Sequence, residues 1–207
     1  PAACPECGGA IAKETEEAVA YRCINPSCPA QLARSLLHFG SRTAMDIEGL
    51  GDVVVEALVS RRMVRDAAGL YRLTTTDVLT LPLFAEKRAE NLLANIRGSR
   101  RRGLARLLYA LGIRHAGEKA ALDLAGRFGS MGRLMQADRE ALEDVPGIGP
   151  VVAESVVQFF RQPQTRALIK KLEDVGVVMT QLKRADGPRP LADSTVVFTG
   201  ELSAMSR

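Results

Sequence analysis

Hydrophobic positions recur at helical spacing along most of this chain. Ala89 to Ile96 and Leu104 to Leu111 each place apolar residues on one face, which predicts amphipathic helices with Leu92, Leu93, Ile96, Leu107, Leu108 and Leu111 in a core. The same spacing runs through Val53 to Leu58, Lys87 to Ile96, Lys119 to Phe128, Val151 to Phe160 and Gln164 to Asp174. Gly176 ends the last of these, and Val177-Val178-Met179 is expected to be extended. Beyond it, Arg184 to Pro190 carries the Gly and Pro content of a linker, and Ser194 to Gly200 reads as a buried strand ending in a turn.

A longer period lies over the helical one. Ile47-Glu48-Gly49-Leu50-Gly51-Asp52 aligns with Val145-Pro146-Gly147-Ile148-Gly149-Pro150, and each leads into a helical pattern. Two weaker copies fall between them, Leu81-Pro82-Leu83-Phe84-Ala85-Glu86 and Ile113-Arg114-His115-Ala116-Gly117-Glu118. Gly51, Ala85, Gly117 and Gly149 are separated by steps of 34, 32 and 32 residues, the mark of a repeated unit. Gly-apolar-Gly permits a tight, often left-handed turn between two steeply crossing helices and leaves no side chain in the way of an approaching group. The helix that follows begins with unpaired N–H groups and the positive end of its dipole, which suits a phosphate oxygen. One such turn is an ordinary helix connection; four in register indicate tandem helix-hairpin-helix units that grip a nucleic-acid backbone without reading bases. Gly49, Gly51, Gly147 and Gly149 make the first and fourth turns the best phosphate sites. Gly117, with Arg114, His115 and Lys119, makes the third a candidate. Leu83 and Ala85 leave the second as a structural hairpin.

Composition supports small packed helices: aromatic content is 4% and tryptophan is absent, poor material for a β-sandwich or barrel. The net charge of +4 is compatible with a polyanionic partner but shared by many proteins, so its placement matters more. Arg100, Arg101 and Arg102 form a local run between two helical patterns, flanked by Gly98 and Gly103, and are candidate phosphate contacts. No apolar stretch approaches the roughly 18 residues of a membrane span, and no signal-peptide pattern opens the chain. A cytoplasmic location is expected, as is a piece of a longer protein, since the chain opens on Pro1 and stops inside a new element.

All four cysteines lie in the first 28 residues, Cys4 and Cys7 as C-x2-C and Cys23 and Cys28 as C-x4-C. These spacings fit a closed, tetrahedral, structural zinc site. Disulfides, free thiols or an iron–sulfur cluster are the alternatives, the first disfavoured in a reducing compartment. Gly8 and Gly9 let backbone N–H groups turn toward sulfur. Ile11 to Glu14 and Ala18 to Arg22 are expected to pair around Thr15-Glu16-Glu17. With so few apolar groups this segment needs its metal to fold; His38 and His115 are not required as ligands.

In this order the motifs resemble the C-terminal part of bacterial NAD-dependent DNA ligases. The carrying residues are Cys4-Pro5-Glu6-Cys7-Gly8-Gly9, Cys23 to Gln31, His38-Phe39, Met45 to Gly51, Ala110 to His115 and Pro146 to Gly149. Val196 to Gly200 is similar to the first strand of that family's BRCT domain. The resemblance implies a mainly α chain: a Cys4 zinc finger over residues 1–33, a four-unit helix-hairpin-helix domain over 34–183, a linker over 184–192 and a truncated BRCT-like start over 193–207. It also implies a whole enzyme that uses NAD and Mg2+ to seal nicked double-stranded DNA, as a monomer, with upstream adenylation and OB domains. The Lys-x-Asp-Gly motif that carries the adenylated lysine in such ligases is absent. Lys183-Arg184-Ala185-Asp186-Gly187 has one residue too many and lies in the expected linker.

Overall fold

A computed structural model describes residues 3–6, 8, 11–13, 19, 21–23, 29–82 and 84–181. Cys7, Gly9, Thr15-Glu16-Glu17, Cys28, Leu83, the linker and the BRCT-like strand lie outside the described residues.

Near the N-terminus, β1 (Ile11–Lys13) and β2 (Tyr21–Cys23) pair antiparallel with Ile11 opposite Cys23. The expected hairpin is present, with its second strand shifted to include Cys23. The rest is helical. Each of the four repeats is a helix, a turn and a second helix packed on the first: α1 (Pro29–Gly40) with α2 (Asp52–Ser60), α4 (Thr75–Leu79) with α5 (Glu86–Ser99), α6 (Leu104–Ala110) with α7 (Glu118–Phe128), and α9 (Arg139–Glu143) with α10 (Pro150–Arg161). Short α3 (Ala67–Leu70) and α8 (Met131–Gln136) connect units, and α11 (Pro163–Asp174) packs across α10 and α3. Helix α1 begins at Pro29, ahead of the boundary expected at residue 33.

One contiguous core joins the units, from Leu36 and Phe39 of α1, through Leu92, Leu93 and Ile96 of α5 and Leu107 and Leu108 of α6, to Ile169 and Leu172 of α11. Every helix-face residue expected in the core is buried, apart from Leu111, which is partly buried against it. His38 joins the first and third units: its Nε2 lies 2.7 Å from the Tyr109 carbonyl, and its ring meets Tyr109 edge-on at 4.9 Å.

Gly176, at φ +82°, turns the chain out of α11 into an extended segment, as expected. There Val178 N–H donates to the Arg100 carbonyl (2.9 Å), Leu104 N–H to the Thr180 carbonyl (3.0 Å) and Met131 N–H to the Met179 carbonyl (2.8 Å). The Gln181 side chain accepts from Ala105 N–H at 3.2 Å. The first N–H groups of α6 and α8 are thus satisfied by residues 179–181.

Candidate nucleic-acid interface

Three of the four turns share one backbone design at their first position; Leu83, which holds that position in the second turn, lies outside the described residues. Gly49 and Gly147 are left-handed, at φ +90° and +86°, and His115 occupies the same position of the third turn at φ +61°. The histidine therefore takes up a conformation that a glycine adopts freely and an L-residue adopts at a cost of about 1 kcal/mol. The second positions are different. Gly51, Ala85, Gly117 and Gly149 are the N-caps of α2, α5, α7 and α10, all extended, with φ of −91°, −103°, −73° and −88°. Any residue can adopt that backbone, so left-handed geometry is needed only at the first position. What glycine provides at the second is space: a Cβ on Gly51, Gly117 or Gly149 would meet nothing within 4 Å.

These four N-termini are also chemically open. Helices α3, α4, α8 and α9 are capped by the side chains of Asp66, Thr74, Ser130 and Asp138. The helices that follow the repeated turns have no side-chain cap. Their leading N–H groups, which in α10 begin at Val151 because Pro150 has none, stand beside a residue too small to screen them, the arrangement a phosphate oxygen requires. The four are not equivalent. Asp52, Glu86 and Glu118 stand in the first turns of α2, α5 and α7, whereas α10 has Pro150 there and no acid.

The basic candidates divide sharply. Arg100 turns inward: its guanidinium lies 5.5 Å from the Tyr71 ring centre and donates to the Tyr71 carbonyl at 3.3 Å. Beneath it the Tyr71 hydroxyl and Ser99 Oγ are 2.8 Å apart and buried. Burial drives the Tyr71 phenol up to about 12, against smaller lowering effects from Ser99 and Arg100. Arg100 is thus a structural residue, tied to α3 by its side chain and to Val178 through its carbonyl. Arg101 is exposed; its backbone N–H donates to the Gly98 carbonyl at 3.3 Å, and its side chain has no hydrogen-bond or ion-pair partner among the described residues. Arg102 reaches Asp46, close before the first turn, at 2.7 Å, with Arg106 at 4.0 Å from the same carboxylate. Arg106 also donates to the Arg42 and Ala44 carbonyls, bracing the approach to that turn. Sequence pattern offered no sign of Arg106, because its partners lie more than sixty residues away. Arg114 and His115 are exposed on the third turn. Lys119 projects from α7 and bonds Asp123 at 2.9 Å.

Of the cysteines, the side chain of Cys4 and the backbone of Cys23 are described. Cys4 is buried, and its carbonyl accepts from Gly8 N–H at 2.9 Å with Gly8 left-handed at φ +66°. This tight turn folds the chain around the Cys4 position, as a thiolate knuckle requires.

The segment 3–30 matches the family model of the NAD-dependent DNA ligase C4 zinc finger domain. Residues 106–169 match the model of the helix-hairpin-helix motif, which covers the third and fourth turns. The whole chain aligns with DNA ligases of Levilactobacillus brevis at 47% identity, Desulforudis audaxviator at 48% and Alkalilimnicola ehrlichii at 45%. The chain belongs with the NAD-dependent DNA ligases. It spans about 31% of the length of those three ligases. The first and second hairpins of this ligase-family chain lie outside the matched motif, yet the helices that follow their turns, α2 and α5, are uncapped in the same way. No helix among the described residues is long and apolar enough to cross a membrane.

Proposed function

We propose that this chain holds double-stranded DNA by its backbone phosphates and serves as the DNA-gripping portion of an NAD-dependent ligase during nick sealing. The observation that carries this reading is that all four helices following the repeated turns lack a side-chain cap and have leading N–H groups open to a ligand. Helices α6 and α11 also lack such caps, but α6 has its first N–H groups taken by Thr180 and Gln181, and α11 opens on Pro163. Gly49, Gly51, Gly147 and Gly149 form the strongest phosphate sites, with Gly117, Arg114 and His115 around the third turn and Arg101 and Arg102 beside the first. Arg100 acts indirectly, by fixing the connection that carries them. Contacts of this kind are indifferent to base sequence.

Cys4, Cys7, Cys23 and Cys28 hold a structural Zn2+ that folds residues 1–33 onto the start of α1. Four thiolates leave no open position for water, so the ion takes no part in chemistry. Adenylation with NAD and Mg2+ belongs to upstream domains, and this chain alone neither takes up AMP nor seals nicks. Its setting is the bacterial cytoplasm, at the nucleoid.

Affinity for several duplexes, intact and nicked, measured against salt tests the reading. Similar affinities for different sequences and a logarithmic slope of about −0.9 per phosphate contact are expected. A strong preference for one sequence, or a flat salt response, would refute it.

A further inference from the structure

We infer that Lys119, although it sits on the third unit, supplies the positive charge of the fourth hairpin's phosphate site. This inference rests on the DNA-holding function proposed above. The fourth turn has no charge of its own: from Val145 to Ala153 there is no ionisable side chain. The third turn, in contrast, already carries Arg114 and His115. The fold brings α7 against the fourth turn, so that a Cβ on Gly147 would lie 3.7 Å from Asp123 Oδ2 and 3.9 Å from Lys119 Nζ. The ammonium group thus stands at the edge of the turn whose helix, α10, has an open N-terminus free of acidic residues.

Helix stability does not explain the lysine. It lies in the first turn of α7, where the dipole disfavours a cation. Its partner Asp123 lies one turn toward the C-terminus, the less favourable order for an i,i+4 pair. The Lys119 side chain is 85% exposed, against 28% for Asp123, so the cation can leave the carboxylate for an incoming phosphate without disturbing the core. Asp123 holds the ammonium over the turn until DNA arrives.

Double-mutant cycles on the complete 207-residue chain test this. Lys119→Met should reduce the steepness of the salt dependence by about 0.9, so its penalty in duplex affinity shrinks roughly 3.5-fold between 50 and 200 mM salt. The same substitution should have no further effect beside Gly149→Val, and its full effect beside Gly117→Val. Lys119→Arg should behave like the wild type, and Lys119→Gln like Lys119→Met, with circular dichroism confirming the fold. An effect that survives Gly149→Val and disappears beside Gly117→Val would return the lysine to the third hairpin. No effect of Lys119→Met in the wild-type background would overturn the inference outright. Wild-type protein without salt-dependent duplex affinity would instead remove the DNA-holding function on which it rests.

Discussion

The two glycines of a turn should separate folding from binding. Valine at Gly49 or Gly147 must adopt φ near +90° or +86°. At Gly49 the new Cβ would meet Leu92 at an ordinary 3.5 Å, so the cost is conformational. A β-branched residue there loses about 2 kcal/mol, or about 4–8 °C in Tm for a chain of this size. Valine at Gly51 or Gly149 falls on extended backbone with no atom within 4 Å. Two small terms oppose each other: the loss of a favoured N-cap glycine costs roughly 0.5–1 kcal/mol, and the reduced freedom of the unfolded chain returns about 0.4–1 kcal/mol. Net stability should therefore stay within about 0.5 kcal/mol of wild type. Binding should respond in the opposite way, because the added methyl groups stand where a phosphate oxygen must approach the first N–H groups. Each second-glycine variant should lose about 0.9–1.8 from the logarithmic salt slope, for one or two lost phosphates. Urea unfolding and fluorescence anisotropy with a labelled duplex provide the two readouts. If Gly51→Val and Gly149→Val fold normally and bind DNA as tightly as wild type at every salt concentration, the open face of the turns is not the DNA face.

Other consequences can be checked separately. The phenol of Tyr71, held neutral up to about 12 against an ordinary value of 10, keeps its proton where the unfolded chain releases it, so stability falls as pH rises through this window. Relative to Tyr71→Phe, wild-type protein should lose about 2 kcal/mol in urea unfolding between pH 9 and 11.5; an unchanged difference would contradict burial as the cause. Arg62 is left-handed at φ +57° just past α2, where Met63 N–H donates to the Leu58 carbonyl at 2.9 Å, a helix-ending turn that favours glycine. Arg62→Gly should raise stability by up to about 1 kcal/mol with DNA affinity largely retained. Thr74→Ala removes the box in which Thr74 and Asp77 cap α4, and should cost about 1 kcal/mol in thermal unfolding. Native mass spectrometry should find one zinc per chain, lost in Cys4→Ser, and chelation should unfold the N-terminal segment while the hairpin helices keep their circular dichroism.

The sequence made the repeat visible because a left-handed turn and an amphipathic helix both constrain local residue choice. Gly49, His115 and Gly147 fall in register, and the helix starts follow them at a fixed distance. Local pattern did not show that the second glycine is extended, since Gly-x-Gly looks the same whichever glycine carries the positive φ. Nor did it sort the arginines. Arg100, Arg101 and Arg102 are neighbours in sequence, but one packs on Tyr71, one is open to solvent and one pairs with Asp46. Their fates depend on partners twenty-nine and fifty-six residues away. Lys119 was visible as a cation in the right region but not as a neighbour of Gly147, which only the packing of α7 against the fourth turn establishes. The C-x2-C and C-x4-C spacings were legible because a tetrahedral ion dictates ligand separation within each knuckle.

The extended segment after α11 imposes an order of events during synthesis. Leu104 and Met131 N–H groups wait for carbonyls at Thr180 and Met179, so α6 and α8 emerge from the ribosome long before their ends can be completed. The third hairpin, with α8 beyond it, gains these bonds only when residue 181 has left the exit tunnel. A ribosome stalled a few residues short of that point would display α6 and α8 with their leading N–H groups still open to water.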